Sequence, residues 1–477
     1  MKINLNRYKV KVLSLSLLFF TTSVLIISCG DSATEQKAEF QAGVASIDIT
    51  PPPGYLVHKT PSDGILDPLE AKSIVLSQGD CTVALITADL FYIPGKLSDV
   101  VRRTASEKTG IPFENICLAA THTHADPTCY EETIEYIEKT DSDSKAAAKE
   151  QSYPAQLIAR LVQSVADAQS DLRPSGIKTG VEKIPGISFN RRHLMKDGTV
   201  MMNGGFLNPD IVRAVGPADP DLGMIIFTDR ESDKPFASLS TFAMQLATIG
   251  STTKFSSGFP HFMEEDLRKS FGDNFISLFG EGPCADVNHW DITKPGPQAG
   301  YEEATKPVGQ RLAAGFLNRY PALQYQEPSL KVAGKIIKVP LQTFSSMDLE
   351  WAESYTDSAA SARLKARIRK ILTLSKLKKE FGETIPMEVR AFRIDKETAI
   401  VALPGQIFVE LGLAIKEASP FKNTLIITLA NSHEDCIPSR KAYPEGSYEI
   451  IYSLVESGGG EMLTETALSL LNDIKNR

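Results

Sequence analysis

The sequence is sparing with cysteine and with basic charge, and it has no long apolar run outside its first 30 residues. Six cysteines (Cys29, Cys81, Cys117, Cys129, Cys284 and Cys436) are scattered through 477 residues and no CxxC occurs, which argues against a thiolate zinc knuckle. Lys and Arg number 51 against 59 Asp and Glu, a formal net charge of −8. A dedicated nucleic-acid binder needs a basic face to displace counterions from phosphates, so no nucleic-acid partner is expected. No stretch beyond the N-terminus approaches transmembrane length. No repeat, low-complexity linker or sharp change of composition marks an internal domain boundary. What remains is an ordinary globular composition, 42% hydrophobic and 23% charged, in a chain long enough to bury a core without disulfides.

The first residues bear on the compartment. Lys2, Arg7, Lys9 and Lys11 precede the apolar run Leu13 to Ile27, which ends in Ser28-Cys29. A basic start, a short apolar segment and a small residue before the cut describe a signal peptide, and a Cys just after the cut resembles a bacterial lipoprotein signal. The expectation is a signal peptide over 1–28, acylation of Cys29 as the first mature residue, a polar tether over 29–38 and a folded region over 39–477. That places the chain in the bacterial cell envelope, periplasmic or on the outer-membrane surface, with its lipid in the membrane. An uncleaved N-terminal anchor is the alternative, for which the run is short. Removing Cys29 leaves five cysteines, so at least one is unpaired within the chain.

Strands and helices interleave along 39–477. Phe40 to Thr50 alternates and stops at Pro51-Pro52-Pro53-Gly54. Apolar runs at Ser73–Leu76 and Thr82–Leu90, and at Met224–Phe227 and Ser238–Met244, read as strand pairs. Ile116–Ala120 and Phe275–Phe279 read as buried strands. Helical period appears over 134–172, broken by a polar stretch at Asp141–Lys149, over Phe259–Phe271 and near Glu461–Ile474. Met195 to Thr199 signals a hairpin. Lys365 to Lys379 is a basic helix that reads as a solvated face over the apolar stripe Leu364, Ile368, Ile371 and Leu372. The fold class is α/β: mixed β-sheets flanked by helices in a single large domain.

The strongest chemical signal is Thr121-His122-Thr123-His124-Ala125-Asp126, directly after an apolar strand. Continued as a strand, it would put the imidazoles of His122 and His124 on one face, a common way to hold zinc, with Asp126 orienting a ring from behind. Two histidines satisfied by backbone carbonyls is the bland alternative. A second cluster, Gly282-Pro283-Cys284-Ala285-Asp286-Val287-Asn288-His289-Trp290-Asp291, brings Asp286, Asn288, His289 and Asp291 to one loop after a strand, where catalytic groups collect. A polar turn is its alternative. Asn190-Arg191-Arg192-His193 could offer a guanidinium to a carbonyl or anion.

Taken in order, these pieces resemble the N-terminal domain of the neutral/alkaline, non-lysosomal ceramidases. The matching elements are GVASIDITPPPGY from Gly43, THTH-x-x-P, FNR, STFAMQLAT, GPCADVN, ALPGQ and Tyr-x4-Tyr-Glu at 443–449. Several of them look more like a divergent bacterial branch than like true ceramidases. The resemblance implies zinc-dependent hydrolysis of an N-acyl amide, with zinc held by two His, one Glu and one Tyr. Carried over by motif, that set falls on His122, Gln245, Gln406 and Tyr443. His124 and Arg191 match residues that flank the substrate, and Tyr448 is placed beside Arg191 there. The family's serine falls on Asn288, and a further substrate-side Tyr on Val455. The family's C-terminal immunoglobulin-like domain is expected to be missing.

Two amides in place of an imidazole and a carboxylate weaken any zinc site, because amide oxygen is a poor zinc ligand. The expectation is therefore an exported hydrolase of amide (N-acyl sphingosine-like), other C–N or ester bonds with a degraded zinc site, in which His124, Arg191, Asp286, Asn288 and His289 serve catalysis on a small-molecule or lipid substrate. The alternative is a non-catalytic lipoprotein that holds a lipid or glycan in the old pocket. A metallo-β-lactamase-type site is disfavoured, since Pro127 stands where its HxHxDH run needs the final His.

Overall fold

The computed structural model describes residues 38–57, 60–142, 152–355, 361–432 and 435–477. The expected signal peptide, Cys29 and all of the tether except Ala38 lie outside the described residues. Residues 39–477 form one compact unit.

Two sheets carry the architecture. The larger one has strands β1 (Phe40–Asp48), β2 (Glu70–Gln78), β3 (Cys81–Ala88), β4 (Ile116–Ala120), β5 (Arg173–Lys183), β6 (Asp221–Asp229), β7 (Pro235–Phe242) and β8 (Ile276–Glu281), in the order β8-β7-β6-β5-β1-β2-β3-β4. The smaller one has β9 (Pro328–Pro340), β10 (Thr384–Asp395), β11 (Thr398–Ala402) and β12 (Asn423–Ile427), in that order. Both expected strand pairs form, with Ile74 opposite Leu85 and Ile225 opposite Leu239. β5 and β9 carry no sequence pattern that announces them; β9 has few buried positions.

Period-2 alternation on strands buried on both faces explains the layering. Val83 and Leu85 of β3 and Cys117 and Ala119 of β4 point inward, where they meet Phe392, Ile400, Leu425 and Ile427 of the smaller sheet. Their neighbours Ala84, Ile86, Ile116 and Leu118 point outward, against helices α1 (Gly95–Thr109), α2 (Tyr130–Ser142) and α3 (Tyr153–Ser170). The other half of the larger sheet is covered by α4 (Phe259–Phe271) and α5 (Lys306–Arg319). The basic helix α6 (Ala362–Phe381), α7 (Val409–Ala418) and α8 (Gly459–Asn476) flank the smaller sheet. The result is two sheets face to face between two helical layers. In α6 the buried apolar positions are Ala366, Ile371 and Leu374, while Leu372 is exposed; the stripe sits slightly rotated from the expected one. Cys81, Cys117, Cys129, Cys284 and Cys436 are all free thiols.

Most neighbouring strands are antiparallel, but β3–β4, β7–β8 and β11–β12 run parallel. Each parallel pair is joined by a crossover containing a helix: α1, α4 and α7. Three βαβ units therefore send their carboxyl-terminal loops to neighbouring places, and backbone bonds lock those loops together. Thr428 N–H donates to Glu281 C=O at 2.7 Å, Leu429 N–H to Gly405 C=O at 3.0 Å and Asn431 N–H to Leu118 C=O at 2.7 Å. Carboxyl ends of parallel strands are where ligands bind in α/β sheets.

Gly43 shows how tightly a layer is packed. A Cβ there would press into the Ala168 carbonyl oxygen of α3, with the Leu172 nitrogen at 2.6 Å. Gly43→Ala should lower the unfolding free energy by about 1–3 kcal/mol through overpacking. Gly95→Ala, whose new methyl meets nothing nearer than 3.8 Å, should be near neutral in the same urea titration.

Candidate functional site

The three loop pairs enclose a cavity of about 400 Å³ lined by Phe91, His122, His124, Arg191, Asn203, Gln245, Asn288, His289, Trp290, Gln406, Cys436, Tyr448 and Tyr452, among others. The volume falls within the ordinary range of small-molecule sites, about 300–1,000 Å³.

The histidine pair reaches the cavity by a route the alternation argument does not foresee. β4 ends at Ala120, and His122 has φ +69°, so the strand does not continue through the motif. A left-handed conformation is costly for a side-chain-bearing residue and persists where the surroundings over-determine it. Here His122 N–H donates to Leu90 C=O at 3.0 Å, the ring stacks on Phe91 with centroids 4.4 Å apart, and Nδ1 lies 2.6 Å from Phe91 C=O. The His122 and His124 rings meet edge to face at 5.1 Å. Asp126 does not orient an imidazole directly. Its carboxylate accepts from Phe91 N–H at 2.9 Å and from the Tyr130 hydroxyl, so it fixes the residue against which His122 is held. Burial raises the Asp126 carboxyl to about 7.

Arg191 is set by an ion network. Its Nε donates to Glu449 Oε1 at 2.9 Å; Arg192 Nη1 donates to Glu449 Oε2 at 2.8 Å and Arg192 Nη2 to Glu445 Oε2 at 2.9 Å. Arg191 Nη1 then donates to Gln245 Oε1 at 2.9 Å, and Gln245 Nε2 donates to Gln406 Oε1 at 3.0 Å. Arg191, Gln245 and Gln406 are thus one hydrogen-bonded chain. Arg191 also lies over the Tyr448 ring, its guanidinium carbon 5.4 Å from the centroid.

The other expected residues divide. Asn288 lines the cavity, donating to Asn203 Oδ1 at 2.8 Å and accepting from Trp290 N–H at 3.0 Å. His289 lines it too, and burial pushes its imidazole down to about 4 against an opposing contact with the Gln298 backbone. Asp286 is not in the lining. Its carboxylate accepts from Val409 N–H at 2.8 Å, the orphan donor at the start of α7, and from Asn190 Nδ2 at 2.8 Å. Its role in the structure is to hold a helix end, and desolvation raises it to about 6. Tyr443 is not in the lining either: its hydroxyl donates to Val455 C=O at 2.7 Å. The chain turns through left-handed Gly446 and Ser447, so Tyr443 and Tyr448 leave on different sides, and Tyr448 and Tyr452 face the cavity. Arg369 of the basic helix also borders the cavity, so that helix's polar face is not wholly given to solvent. Phe91, Asn203 and Tyr452 carry no sequence signal that assigns them here. Glu449 stood within the Tyr-x4-Tyr-Glu element, whose charge pairing only the fold reveals.

The residues that resemblance assigns to zinc do not fit the ion. His122, Gln245 and Gln406 share the cavity but Tyr443 does not. The Gln245 oxygen is engaged by a guanidinium and the Gln406 oxygen by the other amide, which puts positive charge and N–H donors where a cation needs lone pairs. Among the described residues no group of three or more His, Cys, Asp or Glu is placed to hold a metal.

His289 gives the site a pH signature. Its folded pKa lies below the ordinary 6.5, so the neutral ring's stabilisation is complete above about pH 6.5 and is lost as pH falls toward 4. Between pH 7 and 4, wild type should lose about 3 kcal/mol more unfolding free energy than His289→Phe, measured by urea denaturation at each pH.

Comparison with known proteins places the fold. No family model and no curated protein matches the sequence. Among solved structures, the neutral ceramidase from Pseudomonas aeruginosa matches with TM-score 0.68 at 16% identity, over 92% of this chain and 75% of that one. A structure described as ceramidase complexed with C2 matches with TM-score 0.69 at 15% identity, over 92% and 76% of the two chains. Residues 39–477 therefore carry the neutral-ceramidase fold, a mixed α/β domain whose strand-end cavity holds the histidine, arginine and glutamine side chains described above.

Proposed function

We propose that the chain is a ceramidase-fold hydrolase that cleaves an amide or ester without zinc in the inherited position, using imidazole for proton transfer and Arg191 for the carbonyl oxygen. The observation that carries this reading is that His122, His124 and Arg191 line one cavity at the carboxyl ends of the parallel strands. Because a backbone carbonyl only accepts, the contact with Phe91 puts the His122 proton on Nδ1 and makes Nε2 the basic nitrogen of the ring.

In this mechanism an imidazole takes a proton from water as the water oxygen bonds to the substrate carbonyl carbon. Arg191 Nη2, which has no hydrogen-bond partner in the protein, donates to the oxyanion that forms. Collapse breaks the C–N or C–O bond, and the imidazolium returns its proton to the leaving group. Asn288 has no hydroxyl, so water rather than a serine at this position attacks.

A panel of N-acyl amides and esters tests the proposal. His124→Ala and Arg191→Ala should each lower kcat/KM by about 100-fold or more. Calorimetry should find no stoichiometric zinc uptake by wild type and a gain of uptake in the double variant Gln245→His, Gln406→Glu. Tight one-to-one zinc binding by wild type would overturn the metal-free mechanism. The second reading, non-catalytic capture of a lipid or glycan, is favoured by the engaged amides Gln245 and Gln406; binding without turnover across the panel would establish it instead.

The proposal also puts the protein at the bacterial envelope, held by a lipid on Cys29. Metabolic labelling with radioactive palmitate should mark the wild-type chain and leave Cys29→Ser unlabelled; equal labelling of both would refute the anchor.

A further inference from the structure

The cavity contains polar groups that the fold leaves without partners. Both ring nitrogens of His289, Nη2 of Arg191 and Nε1 of Trp290 are buried and make no hydrogen bond of good geometry within the protein, the Gln298 backbone only approaching the imidazole, and all three residues line the cavity. His289 is 8% and Arg191 6% exposed. Such groups are rare in folded proteins, and each calls for an explanation. The Arg191 nitrogen is accounted for by a substrate carbonyl. The imidazole of His289 is not: the proposed chemistry assigns it no role, and packing alone would be served by an apolar residue.

A neutral imidazole presents one donor and one acceptor. An acyl chain seated against it would leave both unpaired, whereas a hydroxyl can give to one nitrogen or take from the other. The surrounding lining points the same way. Beside the charged Arg191, Arg369 and Asp435, the lining offers neutral amides in Asn203, Asn288 and Gln406, and Trp290, Tyr448 and Tyr452 supply aromatic rings. Neutral hydrogen-bonding groups among aromatic rings suit a ligand with polar edges and C–H faces.

We propose that this cavity takes a polyhydroxylated ligand, a carbohydrate carrying the amide or ester to be cleaved, and that His289 selects it by pairing with ligand hydroxyls. The inference deepens the hydrolase reading and rests on it for the location of the site. His289 acts here as a specificity-determining residue, and a site built to pair hydroxyls rejects analogues that lack them.

The full chain, purified in detergent, would be titrated calorimetrically with N-acetylglucosamine, N-acetylgalactosamine, glucose and galactose, and with N-acetylsphingosine in micelles. At least one saccharide should bind and outcompete N-acetylsphingosine. His289→Phe should weaken that saccharide by about tenfold or more, and His289→Gln, which keeps a donor and an acceptor, should recover part of the loss. Ile336→Ala, at an exposed position on β9, should bind as wild type does. Circular dichroism of each variant separates a folding failure from a binding loss, with His289→Gln deciding if His289→Phe does not fold. Absence of saccharide binding, or saccharide binding that both His289 variants leave unchanged, overturns the inference. Saccharide binding that depends on His289 but leads to no hydrolysis of acylated sugars upholds it and sinks the hydrolase reading. Turnover of an N-acyl sphingoid amide indifferent to His289 does the reverse.

Discussion

The site depends on one buried carboxylate. Glu449 is fully buried, and its two oxygens are divided between the guanidinium groups of Arg191 and Arg192. Removing one partner from such a pair strands a charge in low dielectric and costs about 3–5 kcal/mol, so the geometry is not negotiable. Arg192 is further held by Glu445 and by the Gly446 carbonyl. Arg191 Nη1 is thereby directed toward Gln245, and Gln245 in turn bonds Gln406. One ion network therefore ties the 190–193 segment to the Tyr448–Tyr452 helix and decides what the cavity wall offers a ligand.

Where the resemblance places a second imidazole and a carboxylate, the wall carries two neutral amides, with Asp435 the carboxylate among the lining residues. An imidazole and a carboxylate would supply lone pairs and negative charge; two glutamines supply dipoles, already satisfied by one another and by Arg191. The proposed chemistry accordingly rests on imidazoles and a guanidinium, the groups that line the cavity beside those amides. The low basicity of His289 has a simple cause: burial in the wall favours its neutral form.

Much of the fold was legible because most of its strands are buried on both faces. Runs such as Thr82–Leu90 and Ile116–Ala120 announce themselves by composition alone; the first pairs with β2 across a short turn, while the second reaches β3 through the α1 crossover. β9 was not legible, since its exposed edge carries no apolar pattern. In the site, the motif segments that hold His122, His124, Arg191, Asn288 and His289 could be picked out, and their residues do meet. Asp286 was misread because a carboxylate on a strand-end loop looks the same in sequence whether it faces a ligand or caps α7. Tyr443 was misread because residue spacing cannot register two successive left-handed residues that turn the chain between it and Tyr448.

The sequence by itself determined the fold class and the identity of the polar residues at the strand ends, because these follow from local periodicity and side-chain identity. Only the tertiary structure decided which of those side chains face one another. Partners such as Arg191 and Glu449 lie 258 residues apart, and the hydrogen bonds that aim them exist only once the chain has folded those distant segments against each other.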